Sequence, residues 1–364
     1  MMENIENEKV ECALIIPTYN RPEYLKRILE YYNQCEMNCC IFVGDSSIEN
    51  IISINEKTIS KITKLSVSHI KYPSDINPFY KNADIIKYVT QKYCAICADD
   101  DFITPSGIEA CVEFLNANPD FTCAHGNYFG YCVKKNKKDE IRFLWKPLST
   151  TDSITLPDSE ARMAYHFAHY SATFYAIHRT EFFKFIFQEN MKYTIDYQFG
   201  ELLPTLLTMI YGKMKKLDIM CNVREMNPNS TNWTCNSMND YIKDGTYNEK
   251  YTRFRECLAH HLMLNSKLNL EEAIDCIDHG MAEYLQNFCN RSSIPRKAGI
   301  FLENMQLPQS IDHGIRKVYR KAFSIEGFED WRESPPTDNN LHEFNRIRDI
   351  VIRASEINNG NKAK

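Results

Sequence analysis

The sequence has no run approaching the roughly 20 consecutive apolar residues that a helix needs to cross a bilayer. It also lacks the basic surplus that gathers phosphates along a nucleic acid. Its 43 Lys and Arg stand against 48 Asp and Glu, a formal net charge of -5, so nucleic acid is excluded as the main partner. A secretory signal is missing from the start, where "MMENIENEKVE" is polar and acid-rich and the next apolar run ends at Pro17. Fourteen cysteines in such a chain read as reduced thiols of a cytosol. The expected location is therefore cytoplasmic, including the inner face of a membrane; a cluster such as Lys134, Lys135, Lys137 and Lys138 reads first as a surface loop, with contact to an anionic membrane surface as the alternative. There is no internal repeat and no low-complexity linker.

What is present is an alternation. At 364 residues, with 43% hydrophobic and 25% charged residues, the chain has the composition of a globular protein and more length than one core usually serves. "CALIIP" (12–17), "CCIFVGDSS" (39–47), "LSVSHIKY" (65–72) and "YCAICA" (93–98) have strand length, and helix-like segments lie between them. Tyr24, Leu25, Ile28, Leu29 and Tyr32 recur at helical spacing behind Pro22, which suits a first turn. Two-sided apolar strands alternating with helices predict an α/β fold, a mostly parallel sheet flanked by helices. Cys94 and Cys97, three apart near a strand, face opposite sides and so make no shared metal site. Beyond residue 105, "FTCAHGNYFGYCV" and "IRFLWKPL" read as paired strands, "SATFYAIH" and "KKLDIMCNVRE" as further strands, and "IDYQFGELLPTLLTMIYGK" as a helix interrupted at Pro204. From about 235 the pattern is all-helical. Asn269 and Glu272 form an N-cap pair ahead of a face of Leu270, Ile274, Ile277, Met281, Leu285 and Phe288, and later helices are expected near 309–323 and 338–354. The division is thus residues 1–228 and an all-α region, 229–364.

In a parallel sheet, ligands sit beyond the carboxyl ends of the strands. Three such ends carry polar punctuation: Thr18-Tyr19-Asn20-Arg21, Asp45-Ser46-Ser47 and Asp99-Asp100-Asp101. Adjacent carboxylates repel unless a cation or donors offset them. The acidic run is therefore either a solvated turn or a site for Mg²⁺ or Mn²⁺, which take one or two carboxylates plus phosphate oxygens and water.

In order and spacing, "LIIPTYNRPEYLKRIL", "FVGDSS" and "ADDDFITPSGIEACVEFL" resemble family 2-like glycosyltransferases of the GT-A fold, strongly over residues 11–120 and more faintly to about 225. The resemblance implies a Rossmann-like nucleotide-sugar-binding domain and a metal-dependent, inverting transferase. It would move a sugar from a nucleotide-diphosphate donor to a glycan or lipid-linked hydroxyl, as in polysaccharide biosynthesis. Pro17 and Thr18 would border the nucleotide, Tyr19 would lie against the base, and Arg21 near the base or the phosphates. Asp45 would accept the ring N–H of uracil, which favours a UDP-sugar, or else merely cap the turn after Gly44. Lys81 would lie near the diphosphate or be an exposed lysine at a helix start. Asp99 would hold the ribose, Asp100 the metal, and Asp101 the metal or the donor sugar. This sequence departs from the commoner pattern at Ala98, where many relatives carry the first Asp of a D-x-D motif. The roles within the metal set Asp99, Asp100 and Asp101 are accordingly open.

An inverting transferase needs a base for the acceptor hydroxyl. The family places it about eleven residues before a helix-ending Gly, and Glu201 stands at that spacing from Gly212. Asp196 is the rival, but positions five apart on a helix point about 140° apart, and Asp196 also suits an N-cap. His166 and His169, three apart, would share a helix face and read as core or acceptor-cleft residues. Tyr170, Ser171 and Thr173 are candidates for the acceptor cleft, as are Trp145 and Trp233, with core packing as the alternative for the tryptophans. The helical region could position an acceptor, support a homodimer or touch a membrane. A nucleotidyltransferase is disfavoured because "PTYNRPEY" has no Gly to cradle a triphosphate, while a non-catalytic nucleotide- or carbohydrate-binding module of the same fold remains the alternative.

Overall fold

The computed structural model describes residues 10–135, 140–193, 196–226, 238–289, 331–334, 336 and 341–362. Lys137, Lys138, Trp233 and the helix expected near 309–323 lie outside the described residues. The first hundred residues build four parallel strands: β1 (Cys12–Thr18), β2 (Cys40–Asp45), β3 (Ser66–Lys71) and β4 (Tyr93–Ile96), in the order β3-β2-β1-β4. Helices α1 (Pro22–Cys35), α2 (Glu49–Ile59) and α3 (Pro78–Tyr88) connect them. Strands β1, β2 and β4 are largely buried because both of their faces are covered, whereas the edge strand β3 alternates exposed and half-buried residues over most of its length. Leu14 and Ile16 enter a core with Leu25, Ile28 and Leu29 of α1. Ala13 and Ile15 enter the opposite core with Ile85 and Ile86 of α3. Cys94 belongs to the second core and Cys97 to the first, as the strand period requires. The described cysteines are free thiols.

The sheet continues through β5 (Phe102–Ile103), β6 (Phe121–Lys135), β7 (Ile141–Leu148), β8 (Ile177–Arg179) and β9 (Lys213–Glu225). Its full order is β3-β2-β1-β4-β8-β6-β9-β5, with β7 hairpinned on β6. β6 and β9 run parallel, whereas β8 and β5 are antiparallel to their neighbours. The helices of this half are α4 (Pro105–Ala117), α5 (Ser159–Ala168), α6 (Thr180–Tyr193) and α7 (Tyr197–Tyr211), followed by α8 (Met238–Asp244), α9 (Tyr247–Asn265), α10 (Leu270–Tyr284) and α11 (Leu341–Lys362). Helices α8–α10 share an apolar core with α5–α7 that includes Phe167, Phe199, Leu203, Phe254, Leu258 and Ile277. The expected Asn269–Glu272 capping box is present. Leu270 is exposed at the start of α10 rather than on its buried face. Helix α11 crosses to the other side of the molecule: Phe344 packs edge-on to Phe143 and Trp145, and Glu343 accepts from the Ser106 amide and hydroxyl at 3.0 and 2.6 Å. Trp145 is therefore a core residue, its Nε1 donating to the Ser334 carbonyl at 2.6 Å.

Three expectations need correction. The segment 171–176 is not strand, because the chain turns there (Ala176 N to Thr173 O, 2.9 Å) before β8 begins. His166 and His169 do not share a helix face. Helix α5 stops at Ala168, and exposed His169 stacks on Tyr165 at 4.2 Å while His166 is fully buried. Pro204 does not interrupt α7. A proline leaves the carbonyl four residues back without its helical donor, and the buried Asn190 side chain of α6 donates to that Gly200 carbonyl at 3.0 Å instead.

Two stability measurements follow. Asn190→Ala strands the Gly200 carbonyl, and urea unfolding should show a loss of about 1–3 kcal/mol. His166 has no hydrogen-bond partner on either ring nitrogen among the described residues, and burial pushes its pKa down to about 3. In the unfolded chain an imidazole protonates near 6.5, so the unfolded state binds the extra proton. Stability is then full above about pH 6.5 and falls as pH drops towards 3. Between pH 7.5 and 5 this group accounts for a loss of ~2 kcal/mol, which His166→Leu should remove from the pH dependence of unfolding.

Candidate active site

Strands β1 and β4 stay paired only as far as Ile15 and Ile96. Pro17, which has no N–H for a ladder, falls just past that last pair. Beyond it the strands part, β2 continuing on one side of β1 and the segment after β4 on the other, which opens a crevice at the switch in strand order. Thr18 ends β1 and Asp45 ends β2. The register of β5 on β9, Phe102 opposite Val223, brings Arg224 and Glu225 beside Asp101 and Asp100.

The three aspartates are not a solvated turn: Asp99, Asp100 and Asp101 are 0%, 8% and 3% exposed. Their charge is met by arginines. The Arg21 guanidinium forks across two of them, binding Asp99 Oδ1 and, at 2.7 Å, Asp100 Oδ2. Thr18 Oγ1 donates to Asp99 Oδ2 at 2.7 Å. Desolvation nevertheless pushes the Asp99 carboxyl up to about 7, with Asp100 adding to the rise and Arg21 opposing it. Asp101 points towards β9, where Oδ1 accepts the Glu225 amide at 2.8 Å and Oδ2 accepts Tyr175 Oη at 2.7 Å and Arg224 Nε at 3.3 Å. Buried Arg27 of α1 ties the assembly together, with NH1 on Glu225 Oε2 and NH2 on the Asp100 carbonyl, both at 2.8 Å. The single Tyr131 hydroxyl proton lies between the same two acceptors, 2.9 Å from Glu225 Oε2 and 3.1 Å from the Asp100 carbonyl, measured from Oη. Among the described residues, Asp100 Oδ1 alone of these six carboxylate oxygens receives no hydrogen bond.

Beyond β1, Tyr19 is 51% exposed. Asn20 takes the left-handed conformation (φ 54°), which Asn tolerates better than most residues. That conformation sews two loops together: Asn20 N donates to Ser47 Oγ at 2.8 Å and Asn20 Oδ1 accepts Ile48 N at 3.0 Å. Asp45 is fully buried and does cap its turn, accepting Ser47 N at 2.9 Å; its other oxygen meets Asn55 Nδ2 at 2.8 Å and His69 Nε2 at 3.1 Å. Burial opposes its charge, yet those donors hold the carboxyl well below the usual range. Lys81 is buried rather than exposed, donating to the Thr18 carbonyl at 3.1 Å and Ser46 Oγ at 2.8 Å. Desolvation lowers its pKa to about 8.

Glu201 stands in the first turns of α7, half-buried, and accepts Tyr170 Oη at 3.2 Å. Desolvation raises its carboxyl above the ordinary range, while the Tyr170 hydroxyl and the Arg224 charge pull it the other way. Asp196 is the N-cap of α7, accepting Phe199 N at 3.0 Å, and its other oxygen lies 3.9 Å from Lys250 of α9. Thr173 is buried and its carbonyl serves His178. Sequence reasoning missed Arg27, Tyr175, Arg224 and Glu225. Arg27 could have been noticed as a cation flanked by Leu25 and Ile28 on a core-facing helix, and the Arg224-Glu225 pair as charge at the carboxyl end of an apolar strand. Tyr175 left no signal, since only the turn before β8 aims it at Asp101.

Residues 13–183 match the family model described as glycosyl transferase family 2. No curated protein matches the chain by sequence. Among solved structures the chain is similar to S. aureus TarS 1-349 in complex with UDP-GlcNAc, at 15% identity and a TM-score of 0.49 over 83% of this chain and 78% of that one. Full S. aureus TarS matches at 15% identity and a TM-score of 0.46, over 87% of this chain and 53% of that one. The mannosyltransferase PcManGT from Pyrobaculum calidifontis, in complex with GDP-Man and Mn2+, matches at 13% identity and a TM-score of 0.40, over 86% and 83% of the two chains. The family match runs from β1 into α6 and holds Tyr19, Arg21, Asp45, Lys81 and the three aspartates. Residues 13–183 of this chain, just under half of its length, therefore form a domain similar to glycosyl transferase family 2.

Proposed function

We propose that the enzyme transfers a sugar, with inversion, from a nucleoside-diphosphate donor to a hydroxyl of a glycan or lipid-linked glycan, using a divalent cation held at Asp100. The observation that carries this reading is the acidic trio itself, buried at the strand ends with one carboxylate oxygen left without a donor. Asp99 and Asp101 have both oxygens engaged by protein groups, which leaves Asp100 as the ligand. One carboxylate, with phosphate oxygens and water completing the shell, is the habit of Mg²⁺ and Mn²⁺. When bound, the ion offsets charge on the departing diphosphate, help worth roughly several kcal/mol.

The chain's own residues supply the rest of the reaction. Exposed Tyr19 offers its face to the base. Asp45 accepts a base N–H in place of His69, which favours uracil. Asp99, held by Thr18 and Arg21, receives the ribose hydroxyls. Lys81, buried among carbonyl and hydroxyl partners, presents positive charge to the diphosphate. Glu201 takes the proton of the acceptor hydroxyl as its oxygen attacks the anomeric carbon and the bond to the diphosphate breaks. A carboxyl raised by desolvation suits that task, since a base works best with a pKa nearer the working pH. Tyr170 holds Glu201 in place. Asp196, committed to capping α7, is assigned a structural part. The boundary near residue 228 belongs to this reading: residues 1–228 hold the donor, and 229–364 brace α7 through α8–α10. No helix among the described residues is long and apolar enough to cross a membrane. Met263, Leu264 and Leu270, exposed around the α9–α10 turn, favour a membrane-surface contact for a lipid-linked acceptor.

Three measurements test this. In a thermal-shift panel of UDP-, GDP-, CDP- and dTDP-sugars, one nucleotide should stabilise the protein, more strongly with Mn²⁺; Asp100→Asn should keep its fold and lose the enhancement. No stabilisation by any of them contradicts the donor assignment. Glu201→Gln should lower kcat about 10²–10⁴-fold with little change in donor affinity. It should also abolish the acid limb of the pH profile, which exists because Glu201 is active only when deprotonated and lies above the ordinary carboxylate range because desolvation raises the carboxyl. Asp196→Asn, whose side chain caps a helix equally well, should retain near-wild-type turnover; a loss as large as that of Glu201→Gln would move the base to Asp196.

A further inference from the structure

Away from the crevice, three side chains of different chemistry meet where α6, α7 and α9 pack. Glu189 comes from α6, while Cys257 and His261 stand four apart on α9 and so share one face. A carboxylate oxygen, a thiol sulfur and an imidazole nitrogen lie within 4.8 Å of one another, and all three residues are buried. Glu189 Oε2 and His261 Nε2 are 3.2 Å apart. Two ligand atoms bound tetrahedrally to zinc at about 2.0–2.1 Å stand about 3.3 Å apart, so this edge of the tetrahedron is already set. The outer contacts are also those of a metal centre. His261 Nδ1 meets Tyr211 Oη at 2.8 Å, and Glu189 Oε1 is held by Lys192, which fixes the imidazole and leaves one carboxylate oxygen facing inwards.

We propose that Glu189, Cys257 and His261 form a site for a borderline-soft divalent transition ion, zinc above all, separate from the oxygen-ligand cation of the crevice. A thiolate and an imidazole do not select Mg²⁺ or Ca²⁺. On binding, Cys257 releases its thiol proton to solvent, and its sulfur joins His261 Nε2 and Glu189 Oε2 around the ion, with water in the fourth position. The Nδ1–H of His261 then donates to the Tyr211 oxygen. The ion locks α9 to α6 and so stiffens the helical layer behind α7.

The test is a Co²⁺ titration of the full, reduced chain under anaerobic conditions. One equivalent should bind with the near-ultraviolet thiolate-to-cobalt charge-transfer band and the intense visible bands of a tetrahedral ion. Cys257→Ser should lose the charge-transfer band. Glu189→Gln should weaken Co²⁺ binding by at least about tenfold, the loss an outer partner alone causes. Asp100→Asn should leave the bands intact, which separates this site from the crevice. Circular dichroism confirms that each variant is folded, and His261→Gln replaces any that is not, with loss of the tetrahedral bands expected. Absence of the charge-transfer band in the wild type, or its survival in Cys257→Ser, overturns the proposal.

Discussion

The structure depends on the burial of three adjacent carboxylates under three arginines. Asp99, Asp100 and Asp101 have almost no access to water, and isolated ions in such a place cost several kcal/mol each. Arg21 holds the first two, Arg224 holds the third, and Arg27 fastens the backbone between them to Glu225. Removing one partner from a buried ionic set costs about 3–5 kcal/mol because it leaves the other charge uncompensated. The set therefore fixes the positions of β1, β4, α1 and β9 around the crevice, and binding geometry and fold stability rest on the same contacts.

The arrangement also settles how the charges are shared. Arg21 lies across Asp99 and Asp100 as a counter-ion supplied by the protein. Under the proposed reading, a divalent ion enters on the other oxygen of Asp100 and adds to that clamp. Lys81 and the Asn20–Ser47 stitch keep the neighbouring loops in register, so on that same reading the nucleotide site is built before any donor arrives. Preformed sites of this kind lower the ordering cost of binding.

Much of this was legible in the sequence. Two-sided apolar strands with polar ends gave the parallel sheet and the convergence of Thr18, Asp45 and Asp99–Asp101, because strand period and switch-point geometry are local rules. The Asn269 cap and the opposed faces of Cys94 and Cys97 followed from the same periodicities. What was hidden depends on distant partners. Pro204 reads as a break until Asn190, on another helix, is seen to supply the missing donor. Lys81 reads equally as a residue near the diphosphate or as an exposed helix-start lysine until α3 is folded down onto the sheet and its burial is seen. Arg224, Glu225 and Tyr175 reach the acids only through the β5–β9 register and the turn before β8, which no local pattern encodes. Helix α11, lying across α4 and β7 through Glu343 and Phe344, is likewise a tertiary fact.

The most direct test of the central claim is anomalous diffraction from crystals grown with Mn²⁺ and a nucleoside diphosphate. A manganese peak in contact with Asp100 and with both phosphates, beside an intact Arg21–Asp99 pair, is the expected result. A nucleotide bound elsewhere, or a manganese peak away from Asp100 with all three aspartates still sealed by protein donors, would contradict it.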